Sequence, residues 1–303
     1  MPRGDTPPLA ADQLPARRPK PQRPLRGTWL AYRYRRARRW ATATLYARRH
    51  NARLPADAPT LDFHPFRPHP KTQVVRILAL LGVRIGFDPR AEGPVMAWDG
   101  GTWFDPRAQA RLPAGALNGR CLDISKSTVA RAWGEVAGYE LAVDPLTHRG
   151  PLVVKSERNG FHDGRLVEGP LAERAPGVAY ERFIDSSRDG VVTCLRTPII
   201  GRAIPVMMIK WRPAPGWFSG TVLQEPRPTD EIYSADEVAL LLRYADAIGM
   251  DYGELDVVRD AASGLIYVVD ANRTPVRNPL LDPRHDAAIY PAMAEAFRAL
   301  LGI

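Results

Sequence analysis

The sequence predicts an α+β chain built on antiparallel sheets, and three observations carry that prediction. Residues 151–211 hold a run of short β-prone segments whose turns carry Gly or Asp. "SADEVALLLRYADAIG" (234–249) is a helix with a legible start and stop. The stretch that follows, "GELDVVRDAASGLIYVVDANRTP" (253–275), is a hairpin of two apolar strands, yet it carries two aspartates and an asparagine where valine would serve.

Composition sets the limits. A chain of 303 residues, 45% hydrophobic and 25% charged, has room for two or three cored domains of a soluble globular protein. Its longest apolar runs, such as "ILALLGV" at 77–83, fall far below the ~20 residues that cross a bilayer. No early apolar segment reads as a secretory signal, so a cytoplasmic protein is expected. Cys121 and Cys194 stand far apart without metal-type spacing, and are expected as reduced, packed thiols.

The net charge of +9 is unevenly placed. Residues 1–50 hold 13 Arg and Lys against two Asp, a balance of +11 that leaves −2 for the rest. Residues 1–26, rich in Pro and Arg, are expected to be disordered. Residues 28–49 suit a basic helix with Leu30, Tyr34, Ala37, Ala41 and Leu45 at helical spacing. Its readings are a solvated or loosely packed helix, an organellar transit peptide, or a contact for an anionic membrane surface, nucleic acid or an acidic protein.

Residues 50–72, "FHPFRPHPK" included, read as a linker, and neither His64 nor His69 has a partner ligand nearby. "TQVVRILALLGVRIGF" suits a short buried helix leading into a strand, and "VMAWDGGTWFD" reads as a hairpin turning at Asp99-Gly100. "DISKSTVARAWGEVAGY" suits a helix capped by Asp123 or Ser125, with Val129, Trp133 and Val136 inward and Gly138 at its end. Lys126 falls in its first turn, where a cation opposes the helix dipole unless an anion such as phosphate sits nearby. Strands follow at "PLVVKS" (151–156), "VAYERFID" (178–185), "VVTCLRTPII" (191–200) and "AIPVMMIKW" (203–211). Lys155 ends the first of them, and "ERNGFHDGR" after it has the glycines of a phosphate loop. The helix at 234 opens with a capping box of Ser234 and Glu237 and stops at Gly249.

With the hairpin turn near 262–263, Asp256 falls opposite Asp270 or one diagonal away, and Asn272 shares the face of Asp270. Carboxylates that close repel unless a cation lies between them. Two carboxylates and an amide oxygen are the hard oxygen set that Mg²⁺ prefers. The alternative is a solvent-facing hairpin whose acids pair with Arg259 and Arg273. Arg196 and Arg273 are planar donors suited to a phosphoryl group or a substrate carboxylate, or to ordinary ion pairs. Lys210 ends the apolar strand "VMMIK".

From Cys121 to the end, the chain resembles the ATP-grasp superfamily, which includes D-alanine:D-alanine ligase and glutathione synthetase. In that family a "DK" helix, a strand lysine, an apolar hinge after a glutamate and an Asp…Glu-x-Asn hairpin follow in this order. The resemblance implies an ATP-grasp fold, with the nucleotide held between two α+β subdomains at 121–303, after a small mixed domain at 51–120 and the basic arm at 1–50. It implies ATP and Mg²⁺, with Mn²⁺ as an alternative. Lys126 and Lys155 would contact the phosphates, and Glu181, Arg182, Phe183 and Ile184 the adenine, with Asp189 and Lys210 as further nucleotide contacts. Asp256, Asp270 and Asn272 would hold the metal, and Arg196 and Arg273 would act at the reacting groups. The implied activity activates a small carboxylate substrate as an acyl phosphate for attack by an amine. A phosphotransferase or an inert nucleotide-binding scaffold could use the same fold. Asp270 stands where the family usually has Glu, the phosphate loop has fewer glycines, and the region before Cys121 does not follow the family's substrate-binding domain.

Overall fold

The computed structural model describes residues 29–161, 163–218, 220–277 and 282–303, with side chains from Tyr34 onward except that of Arg35. The expectation for residues 1–26 lies outside them. The first unit comprises helix α1 (Trp29–Asn51), strand β1 (Thr60–Pro65), helix α2 (Gln73–Leu81), strands β2 (Arg84–Gly86) and β3 (Val95–Trp98), and the short helix α3 (Pro106–Gln109). Its strands form a parallel sheet in the order β2-β1-β3.

Two sequence expectations fail in this unit. The stretch read as a linker contains the central strand β1, where Leu61, Asp62, Phe63 and His64 are all buried. A strand covered on both faces shows no polar alternation, and the flanking prolines masked it. A Cβ on Gly86 would lie 2.1 Å from Asp62 Oδ1, so only glycine lets β2 pass that carboxylate. The hairpin expected at Asp99-Gly100 is absent. β3 pairs with β1 in parallel, and Asp99 Oδ1 accepts the Gly101 N–H at 2.8 Å to turn the chain out of the sheet.

Helix α1 forms as expected, but the residues that recur at helical spacing do not make its packed face. Tyr34, Ala37, Ala41 and Leu45 are exposed, while Ala43, Ala47 and His50 are buried. His50 Nε2 lies 2.8 Å from the Val83 carbonyl, and the Asn51 amide bonds both backbone groups of Ile85. The last turns of α1 thus belong to the body.

Helix α4 (Lys126–Ala137) starts after Ser125 and closes on Gly138 at φ 79°, as its sequence predicts. Strands β4 (Gly150–Ser156), β5 (Arg165–Gly169) and β6 (Val178–Arg182) make a small antiparallel sheet in the order β5-β4-β6. The large antiparallel sheet runs β10-β9-β8-β11-β12, with β7 (Ser187–Arg188) on β8. Its members are β8 (Val191–Ile200), β9 (Met207–Pro213), β10 (Leu223–Arg227), β11 (Tyr252–Arg259) and β12 (Ile266–Asn272). Helix α5 (Thr229–Ile232) leads to α6 (Ala235–Ala247), whose capping box of Ser234 and Glu237 is formed in both directions. A final helix, α7 (Asp286–Leu301), returns to pack on α2.

Each face of the large sheet carries a core. On one, Leu195, Ile209, Leu255 and Val257 pack with Trp133 of α4 and Tyr244 of α6. On the other, Ile200, Met208 and Tyr252 pack with Phe63 and Ile77 of the first unit and with Tyr290 and Phe297 of α7. This second core therefore draws on both sides of residue 120. Both cysteines are free and buried, and burial pushes the Cys121 thiol up to about 12.

Candidate active site

Residues paired across an antiparallel ladder share a sheet face. Asp256 stands directly opposite Asp270 on β12 and opposite Arg196 on β8, while Glu254 stands opposite Asn272 and Pro198. One face thus runs from apolar Tyr252, Ile200 and Met208, under the first unit, to a charged floor of Glu254, Asp256, Arg196 and Lys210. A bulge leaves Val269 without a partner between Val268 and Asp270, which breaks the strict alternation expected of β12.

The expected repulsion between Asp256 and Asp270 is not found, because each carboxylate has its own cation. Lys210 Nζ lies 2.8 Å from Asp256 Oδ1, and Arg196 Nη1 lies 3.2 Å from the same atom. Burial alone would raise the Asp256 pKa, but Lys210 and then Arg196 outweigh it and hold the carboxyl well below the ordinary range. Lys126, the first residue of α4 and 7% exposed, pairs with Asp270 and with the Asn159 side-chain oxygen. The alternative partners are engaged elsewhere: Arg259 binds Glu237, and Arg273 binds main-chain carbonyls.

The small sheet closes over the edge of β12. Lys155 Nζ donates to the Val269 carbonyl at 2.9 Å and pairs with Glu181 at 2.6 Å. Asn159 Nδ2 donates to the Ala271 carbonyl at 3.0 Å, and its backbone N–H to Thr102 Oγ1 at 2.9 Å. Glu181 is 2% exposed, and its pKa is raised by burial against the opposing pull of Lys155. After it the chain crosses between sheets. Arg182 is exposed, Ile184 is buried, and Phe183 stacks edge-on against Trp217 with ring centroids 4.9 Å apart.

Two expected site residues are placed otherwise. Arg273 is 1% exposed; it donates to the Cys121 carbonyl and, at 2.7 Å, to the Gly101 carbonyl, which ties the hairpin to the first unit. Its guanidinium is thus spent on backbone rather than presented to a reacting group. Asp189 is exposed at φ 50° and precedes Gly190 at φ 76°, so both form the tight turn between β7 and β8 and the turn accounts for the residue.

Glu254 was missed. It is 1% exposed, accepts from Arg196 Nε and, at 2.7 Å, from Gln73 Nε2 of α2. A lone Glu two residues before Asp256 in an otherwise apolar strand was the available signal. Among the described residues, no three His, Cys, Asp or Glu side chains gather around one point. The candidate donors are instead two opposed carboxylates and the amide of Asn272, whose oxygen accepts from the Thr274 N–H at 3.0 Å. Carboxylate and amide oxygens are donors of the kind that a hard divalent cation such as Mg²⁺ takes.

No protein-family model and no curated protein matches the sequence. Solved structures do match. The ATP-grasp ligase PsnB with minimal precursor, Mg and ADP aligns over 82% of this chain and 98% of its own, at TM-score 0.50 and 12% identity. PsnB with precursor peptide PsnA2 and AMPPNP gives 80% and 97%, at TM-score 0.50 and 13% identity. In a further PsnB structure the match spans 58% of this chain and 60% of the other. A RimK domain ATP-grasp protein from Sphaerobacter thermophilus aligns over 80% of this chain and 100% of its own, at TM-score 0.46 and 17% identity. Among the described residues, no helix is long and apolar enough to cross a membrane.

Proposed function

We propose, from the ATP-grasp fold that this chain has, that it is an ATP-dependent ligase joining a substrate carboxylate to an amine. One observation carries the reading: Asp256 and Asp270 face each other in register, framed by Lys126, Lys155, Lys210 and Arg196. Four cations converging on one cleft suit a polyphosphate. Asp256, Asp270 and Asn272 would hold a magnesium ion, which supplies Lewis-acid polarisation of the terminal phosphates. Lys126 and Lys210 then exchange carboxylate for phosphate oxygens, so no charge in the cleft is left unpaired. The turn from Glu181 to Ile184 would receive the adenine. Magnesium with ADP in a PsnB structure agrees with this nucleotide assignment.

In the first step, a substrate carboxylate oxygen attacks the terminal phosphorus and the bond to ADP breaks, giving an acyl phosphate. In the second, an amine attacks the acyl carbon, inorganic phosphate leaves and the nitrogen loses its proton. Arg196, anchored by Glu254, would hold the transferring phosphoryl or the carboxylate. Dependence on ATP fits a cytoplasmic protein. The test is ADP release by the full chain with magnesium, carboxylate substrates and hydroxylamine. Hydroxamate formation supports the ligase, a stable phosphorylated product without amine points to a phosphotransferase, and no turnover points to a scaffold.

A further inference from the structure

Helix α1 holds no acidic residue from Trp29 to Asn51. Exposed Arg36 and Arg39 lie on its body-facing side, above the segment that follows β1. The Arg36 guanidinium stands 5.1 Å from the centroid of Phe66, and that of Arg67 stands 4.4 Å from the centroid of Phe87. An aromatic seat fixes the planar fork and leaves its N–H edges for an anion. Exposed Lys71 and Arg111 extend the row. Burial first, then Arg39 and Lys71 near His69 and Arg111 near His64, keep both imidazoles below their usual range. Among the described residues, no carboxylate is ion-paired to these five cations. Asp62, whose charge Arg67 feels, is 7% exposed and spends Oδ1 on the Asp88 N–H at 2.7 Å.

This row ends beside the hairpin that carries Asp256 and Asp270. Beyond Lys71 the chain runs along the segment that follows β12: the Arg277 N–H donates to the Lys71 carbonyl at 3.2 Å, and the Gln73 N–H to the Pro275 carbonyl at 3.0 Å. The Gln73 side chain then touches Glu254, which anchors Arg196. We propose that this basic track binds an acidic polypeptide segment and delivers one of its carboxylates to the cleft, a substrate class that rests on the ligase reading. Guanidinium forks match carboxylates two by two. A nucleic acid fits the track less well, because guanidiniums cover the faces of Phe66 and Phe87 that bases would stack on.

The experiment is fluorescence anisotropy of the full chain with fluorescein-labelled decaglutamate, without ATP. Binding is expected, weakening with salt, and falling about tenfold in the Arg36→Gln, Arg39→Gln, Arg67→Gln variant, since three charge contacts near the surface together are worth about 1–2 kcal/mol. If that variant melts early, the exposed pair Lys71→Gln, Arg111→Gln provides the same comparison. In turnover, either variant should raise the decaglutamate KM and leave kcat unchanged. No binding, or equal binding by a folded variant, overturns the proposal. Tighter binding of a ten-nucleotide DNA or of phosphatidylserine vesicles overturns it in favour of that polyanion. Because the anisotropy needs no ATP, decaglutamate binding with no ADP formation under any condition sinks the ligase reading and not the track.

Discussion

Lys210 Nζ lies 2.8 Å from Asp256 Oδ1, and Arg196 reaches the same oxygen from the strand between them. The carboxylate therefore holds two cations together across β9, β8 and β11. Asp256→Asn should destabilise the protein by roughly 1–3 kcal/mol at pH 7, because it leaves Lys210 without its anion and Arg196 with Glu254 alone. The folded pKa lies below the ordinary 3.8, so this stability is present above about pH 4 and is lost as the pH falls towards the folded value. Denaturant melts taken from pH 7 down to pH 2 should show a gap between wild type and variant that keeps almost its full width to about pH 4 and narrows steadily below it.

Lys155 separates binding from folding. Lys155→Met strands the Glu181 carboxylate, whose folded pKa is already raised. Its cost should be fully felt at pH 7 and relieved as acid protonates Glu181. Adding Glu181→Gln should restore the melting temperature. Affinity for a non-hydrolysable ATP analogue should stay about tenfold weaker in both, since a charged hydrogen bond to phosphate contributes about 1.5–3 kcal/mol. Calorimetric titration would show it, and unimpaired binding would remove Lys155 from the site.

Arg273 is expected to matter for stability first. Arg273→Lys keeps the charge but has a single donor group for two carbonyls set apart at Cys121 and Gly101, a loss of about 1–3 kcal/mol. A variant that melts like wild type yet turns over no ATP would return this residue to the chemistry.

Glu254→Gln preserves shape and the contact with Gln73 while removing the anion that orients Arg196. A loss of roughly 10–100-fold in kcat is expected, with nucleotide affinity little changed, as for other groups that orient a reacting residue. Equal losses in kcat and nucleotide affinity would argue against an orienting role.

Truncations should behave differently on either side of α1's docked turns. The low apolar content of residues 1–26 predicts that removing residues 1–28 leaves the melting temperature unchanged. Removing residues 1–50 should lower it, because Ala43, Ala47 and His50 are buried against the first unit. Thermal melts of the two forms decide this.

What sequence could show was local. The capping box at Ser234, the left-handed stop at Gly138 and the Asp256–Asp270 register each depend on residues close in the chain, and each is found. β1 was hidden because its partners are parallel strands further along the chain and its burial on both faces erased alternation. The charges of Lys126, Lys155, Lys210 and Arg196 were visible as residues, but their partners lie on other strands and helices. Gln73 and Glu254 are separated by 181 positions, and no spacing rule joins them.

The return of α7 onto α2 has a consequence for synthesis. The core beneath the first unit includes Ile289, Tyr290, Met293 and Phe297. A ribosome releases the chain in order, and a domain normally folds once its own residues have emerged. Here Phe63 and Ile77 emerge early but wait for more than two hundred further residues before their last partners arrive. Until then the part of this surface that α7 covers stays open, and for the length of translation it is a target for holdase chaperones.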